Sequence, residues 1–160
     1  MTNMIARRSK PETMLAFHAT IHSRPAEAAP GDEVLLAGLP FRSVHVPRDV
    51  LGTTTFACSF EAAAEALSAL ERLYCEPDGS FVWVSRQGEP PWQIDGNLYD
   101  KDQRLRFVDV KGQCPDAQFD RLLAAFGWPA TPLVFQLVHA AVFLDEAEFR
   151  RYAAHAAELP

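Results

Sequence analysis

The chain has 160 residues, 48% of them hydrophobic and 22% charged, with 15 basic and 21 acidic side chains for a net charge of −6. These values exclude a collagen-like chain, a coiled coil and a wholly disordered chain, and no stretch reaches the ~18–20 apolar residues of a membrane span. The charge is uneven, with six basic and five acidic side chains in residues 1–50 and nine and sixteen in residues 51–160; the larger part repels a phosphate backbone, so neither nucleic acid nor a membrane is an expected partner.

Three cysteines, Cys58, Cys75 and Cys114, form an odd set without CxxC spacing. That argues against a disulfide framework and a structural zinc site. Arg7, Arg8 and Lys10 are not followed by an apolar run of signal-peptide kind, so a cytoplasmic location with reduced thiols is expected. Residues 1–13 read as a disordered extension, or as sequence upstream of a start at Met14.

In chain order, Leu15, Phe17, Ala19 and Ile21 alternate with Met14, Ala16, His18, Thr20 and His22, the period of a strand. Residues 24–32 contain Pro25, Pro30 and Gly31 and read as a loop. Short apolar runs at 34–36 and 44–46 predict strands, the second ended by Pro47. Residues 53–58 are rich in β-branched side chains and predict another. Phe60, Ala63, Ala64, Leu67, Leu70 and Tyr74 then recur at helical spacing, with Ser59 as N-cap and Pro77-Asp78-Gly79 as the stop.

Residues 81–85 are almost wholly apolar, the pattern of a central strand covered on both faces. Residues 92–99 alternate Trp92, Ile94, Gly96 and Leu98 with Gln93, Asp95, Asn97 and Tyr99, and residues 105–110 return across a loop at 100–103. This pairing sets Leu98 opposite Leu105 and Gly96 opposite Phe107, with Arg106 beside Asn97 and diagonal to Asp95. Asp109 breaks the apolar row, which predicts a bulge or a change of burial. The second helix takes Pro115 as its first residue, turns Phe119, Leu122, Leu123 and Phe126 inward, and stops at Gly127 and Pro129. Residues 133–138 predict a buried strand that continues or folds back through 141–144, and Asp145 with Glu148 forms a capping box for the last helix.

The fold class is therefore α+β: an antiparallel sheet with two or three helices mainly on one face. From residue 53 the order β-α-β-β-(β)-α-β resembles the ferredoxin-like split βαβ unit, with a C-terminal helix added. Residues 14–160 read as one domain, made of a β-rich lead (14–52) and a core unit (53–160). Short strand edges invite pairing with a second copy, a homodimer.

Several groups of residues are able to carry chemistry. Gln93, Asp95, Asn97 and Tyr99, with Arg106 from the next strand, are expected on the open sheet face as ligand-binding residues. Arg106 suits a bidentate carboxylate contact, and the ordinary alternative is a solvated face. His18 and His22 suit a metal only on a helix; on a strand they stand ~13 Å apart, nothing marks His45 or His139 as a third ligand, and no metal is expected. Gln136 and His139 interrupt an apolar run, where a hydrogen bond to backbone is the plain reading and a pocket floor the sharper one. Cys58 and Cys114 precede helices, where a thiol pKa falls, although cysteine more often packs inertly. Gly88-Glu89-Pro90-Pro91-Trp92 reads as a tight turn with a Trp anchor. GxGxxG, GxxxxGKS/T and GxSxG are all absent, so no cofactor is expected.

The first functional expectation is a binding or interaction domain that uses the open sheet face for a small molecule or a protein. The second is a small hydrolase- or isomerase-like enzyme, with His139 or His18 as base and Asp109 or Asp95 as orienting group. Its pocket would lie between the sheet and the N-terminal lead.

Overall fold

The alternation that predicts the first strand holds through Ile21. In a computed structural model that describes residues 12–160, β1 (Met14–Ser23) buries Leu15, Phe17, Ala19 and Ile21 on one face. The extension expected over residues 1–13 falls, apart from its last two residues, outside the described part. The chain continues through β2 (Ala29–Leu36), β3 (Leu39–His45), α1 (Arg48–Leu51), α2 (Phe60–Ser68), β4 (Leu73–Cys75), β5 (Ser80–Val84) and β6 (Gln93–Lys101). It ends with β7 (Arg104–Pro115), α3 (Asp116–Ala124), β8 (Leu133–Leu137), β9 (Phe143–Asp145) and α4 (Glu146–Glu158). The strands form one antiparallel sheet in the order β2-β3-β9-β8-β1-β7-β6-β5-β4. The α+β reading holds. Among the described residues no helix is long and apolar enough to cross a membrane.

Helices α2, α3 and α4 cover one face. Ser59 caps α2 by accepting from the Ala62 N–H at 3.0 Å, and Asp145 caps α4 by accepting from the Glu148 N–H at 2.8 Å, both as expected. Beneath the helices Phe17, Phe119, Phe135 and Phe149 form an aromatic nucleus. The Phe135 and Phe149 rings stack at 4.3 Å and Phe17 meets Phe119 at 5.2 Å. Arg150 ties α4 to α3 through Asp116 at 2.6 Å and Asp120 at 2.7 Å, and to Glu146 at 2.9 Å, with its side chain only 17% exposed. The β2–β3 hairpin joins the sheet through a single pairing, Val44 with Phe143. It is held instead by α4: Arg151 lies over the Phe41 ring at 4.0 Å, and the Glu148 carboxylate accepts from the Arg42 N–H at 2.7 Å.

Several expectations are corrected. β1 is the middle strand, between β7 and β8, so residues 14–52 are not an addition beside a finished core. Residues 53–58 form no strand, which removes the first strand of the ferredoxin-like order. Both edges of β7 are occupied along most of its length, and only its first residues, beyond the end of β1, have a free edge. There Phe56 donates its N–H to the Leu105 carbonyl at 2.8 Å, and Cys58 accepts from the Leu105 N–H at 3.2 Å. Helix α2 ends at Ser68, and Arg72, at φ +62°, turns the chain into β4, which carries Tyr74 into solvent. The strand after it, β5, is the last but one and has only its helix-side residues, Phe81 and Trp83, buried. Pro115 is the N-cap of α3 rather than its first residue.

The β6–β7 register also differs. The turn consists of two residues, Asp102 and Gln103, at φ +52° and +69°, the left-handed pair that matches strand twist in a tight hairpin. Leu98 pairs with Val108, Gly96 with Val110 and Tyr99 with Phe107, while Asp100 pairs with Leu105, which leaves Arg106 as the extra residue of a bulge. The bulge reverses the alternation, so Leu105 and Val108 are both buried and Phe107 and Asp109 fall on the other face. The ring over Gly96 is Phe81, its partner on β5, and not Phe107.

Candidate functional site

The side chains that alternate with the core build the second face of the sheet. Pairing aligns Ser80, Asn97, Asp109, Thr20 and Gln136 in one row across β5, β6, β7, β1 and β8. Neighbours in such a row stand about 5 Å apart. Thr20 Oγ1 donates to Asp109 Oδ1 at 2.8 Å, which leaves the lone pairs of the Thr20 oxygen for an outside donor. The adjoining row holds Asp95, Lys111 and His18. On the other side Tyr99 stacks on Phe107 at 4.5 Å, and His22 lies 5.7 Å beyond Phe107.

This second face is not fully open. After β3 the chain crosses it, and Val50 and Leu51 of α1 pack with Val44, Val46, Val134 and Phe143 into a small second core. Lys101 and Thr54 pin this segment by donating to the carbonyls of Gly52 at 3.2 Å and Val50 at 2.7 Å. Between α1 and the sheet lies a cleft of about 390 Å³, within the range of small-molecule sites. Thr20, His22, Phe107 and Gln136 come from the strands, Arg106 from the bulge, and Arg48, Leu51 and Gly52 from the crossing segment.

Electrostatically the cleft has two guanidinium groups and no carboxylate among its lining residues. Arg106 rests over the Phe107 ring at 5.4 Å, within cation–π range, and its Nε is buried without a partner. His22 is 7% exposed, and its Nε2 also lacks a partner. Burial, the dominant cause, pushes the His22 pKa down to about 4; Arg106 adds to the fall while Gln136 and Asp109 oppose it. The ring is therefore neutral near pH 7.

The expected ligand-binding residues do lie on this face, but they are spread along it. Asp95 faces Lys111, not Arg106, and the bulge puts Arg106 level with Tyr99, about 13 Å along the strand from Asp95. The expected Asp95–Arg106 pair does not form. Asp95 accepts instead from the Gln93 side chain at 3.1 Å, and Asn97 faces Asp109. Only Arg106 of the five lines the cleft. His139 lies edge-on to His18 at 5.2 Å, and Asp109 is committed to Thr20, so these two do not form a base and its orienting group. Burial, then Lys111 and His139, lowers the His18 pKa, with Asp109 opposing. Among the described residues no group of three or more His, Cys, Asp or Glu is placed to hold a metal ion. Burial raises the Cys58 thiol and takes fully buried Cys114 up to about 12, the reverse of a reactive thiol.

Sequence reasoning names His22, Gln136 and Arg106 separately, and the strand pairing brings them to one cleft. It misses Arg48 and Phe107: Pro47 reads as the end of a strand rather than the N-cap of a short helix, and Phe107 reads as core until the bulge reverses its side. Comparison with family models, curated proteins and solved structures finds no match, so the functional reading rests on this geometry.

Proposed function

We propose that the protein is a binding domain whose ligand, a small molecule or a segment of another protein, is held on the polar sheet face and in the cleft beneath α1. One observation carries this reading: two polar atoms of the cleft are left without partners. Arg106 Nε and His22 Nε2 are buried without partners, and among the described residues neither Arg48 nor Arg106 makes an ion pair. A buried unpaired polar group costs about 1–3 kcal/mol, and a bound partner would relieve it. Gln93, Asp95, Asn97 and Tyr99 extend the same face as its outer, solvated part. The three free cysteines fit a reducing, cytoplasmic setting.

The hydrolase- or isomerase-like alternative uses a histidine held by an orienting carboxylate, and no such hydrogen bond is formed among the described residues. The binding reading is favoured for that reason. It is tested by adding a library of small charged and uncharged fragments to isotope-labelled protein and following the backbone amides by NMR. Perturbations should gather on Thr20, His22, Gln136 and residues 48–52. Hits confined to a second groove, lined by Trp83, Trp92 and Arg121 among others, or to the β2–β3 hairpin would refute it.

A further inference from the structure

We infer that the cleft takes a small organic carboxylate with a planar, apolar body, an aromatic or unsaturated acid of about benzoate size. This rests on the reading of the cleft as a ligand site and adds the ligand's chemistry.

The charge of the site comes first. The cleft is lined by Arg48 and Arg106 and by no carboxylate. The closest acid along the row, Asp109, is turned to the Thr20 hydroxyl. In a chain of net charge −6, two arginines without an acidic partner in a concave site favour an anion.

The shape of the donors comes second. Phe107 lies under the Arg106 guanidinium and limits its rotation, so its planar fork is set in advance for a planar, two-oxygen acceptor. No protein acceptor competes for it, since its Nε has no partner. The Gln136 amide adds a donor to the lining, and the neutral His22 ring adds no third cation. The same fork can also take two oxygens of a tetrahedral dianion, but such an ion asks for further N–H donors around it. The only helix at the site, α1, has four residues and supplies no bed of backbone N–H groups.

The walls come third. Leu51 on one side and Phe107 on the other are apolar, and a cleft of about 390 Å³ is far larger than a carboxylate group alone needs. An inorganic ion would leave these walls against water, whereas a flat ring would cover them.

The test titrates benzoate, cinnamate, benzamide and phenyl phosphate into labelled protein and its R106Q variant, with amide shifts as readout. Both carboxylates should perturb Thr20, His22, Phe107 and residues 48–52, and benzamide should bind at least about tenfold more weakly. R106Q should weaken benzoate by about tenfold while the variant keeps a cooperative melting transition. If R106Q fails to fold, R48Q removes a charge from an exposed side chain and should weaken benzoate in the same direction. Benzamide binding as tightly as benzoate, phenyl phosphate binding more tightly, or indifference of both variants overturns the carboxylate assignment while leaving the binding face standing. Shifts that map elsewhere, or none from any of the four probes, remove both.

Discussion

Strand β1 supplies two surfaces of opposite chemistry from alternate residues. Leu15, Phe17, Ala19 and Ile21 belong to the main apolar core beneath three helices, where aromatic rings close the gaps. His18, Thr20 and His22 reach the other side, where they meet Asp109, Lys111, Gln136 and two arginines. The helix face shows what a surface looks like when its work is stability: a buried apolar cluster, with side-chain caps on α2 and α4. The second face keeps unpaired polar atoms and a cleft that a stability-only surface would have filled. A step of one residue along a strand separates the two roles.

The comparison breaks most visibly at the aromatic nucleus. Phe149→Ala removes a fully buried ring stacked on Phe135 and touching Phe17 and Phe119, and it should cost about 3–5 kcal/mol in urea unfolding. A loss below about 1 kcal/mol would mean that the helix face is not the stabilising one.

His22 gives the second effect, through pH. Its folded pKa of about 4 lies below the usual 6.5, so the unfolded chain binds the proton more readily. The stability that neutral His22 contributes is complete above the unfolded value and is lost as the pH falls through 6.5 toward 4. Between about pH 7.5 and about pH 5 the wild type should lose about 2 kcal/mol more than His22→Gln. Equal losses, or an NMR titration of His22 near its ordinary value, would show that the second face is not closed at this point.

Smaller changes sharpen the boundary. Thr20→Val removes the hydrogen bond to half-buried Asp109 and should cost about 1 kcal/mol by thermal unfolding. Asp95→Ala, at an exposed position with only the Gln93 side chain bonded to it, should change stability by less than about 0.5 kcal/mol. A larger effect would place Asp95 within the closed part of the face rather than on its solvated margin.

Much of the chain was legible locally. The caps at Ser59 and Asp145, the left-handed turn at Gly127 and the two-sided pattern of β1 depend on residues a few positions apart, and all appear as read; the first helix instead stops at Ser68, well before the Pro77-Asp78-Gly79 stop expected of it. The β6–β7 register was not legible. It depends on whether the turn takes two residues or four and on where one extra residue is accommodated, and the alternation around Phe107 tolerates both readings until the strands pair. The site suffered most from this. Arg106 and Asp95 look like neighbours in one register and stand apart in the other.

From its sequence alone this protein is bound to be an α+β chain with apolar strands under amphipathic helices, because hydrophobic period and capping act within single elements. Only the tertiary structure decided that β1 runs through the middle of the sheet and that a bulge turns Arg106 toward His22. It also decided that residues 48–52 fold across the second face to make a cleft. Those outcomes depend on which strands share hydrogen bonds. That choice is made between segments far apart in the chain by the burial they achieve together, and no single stretch of sequence carries it.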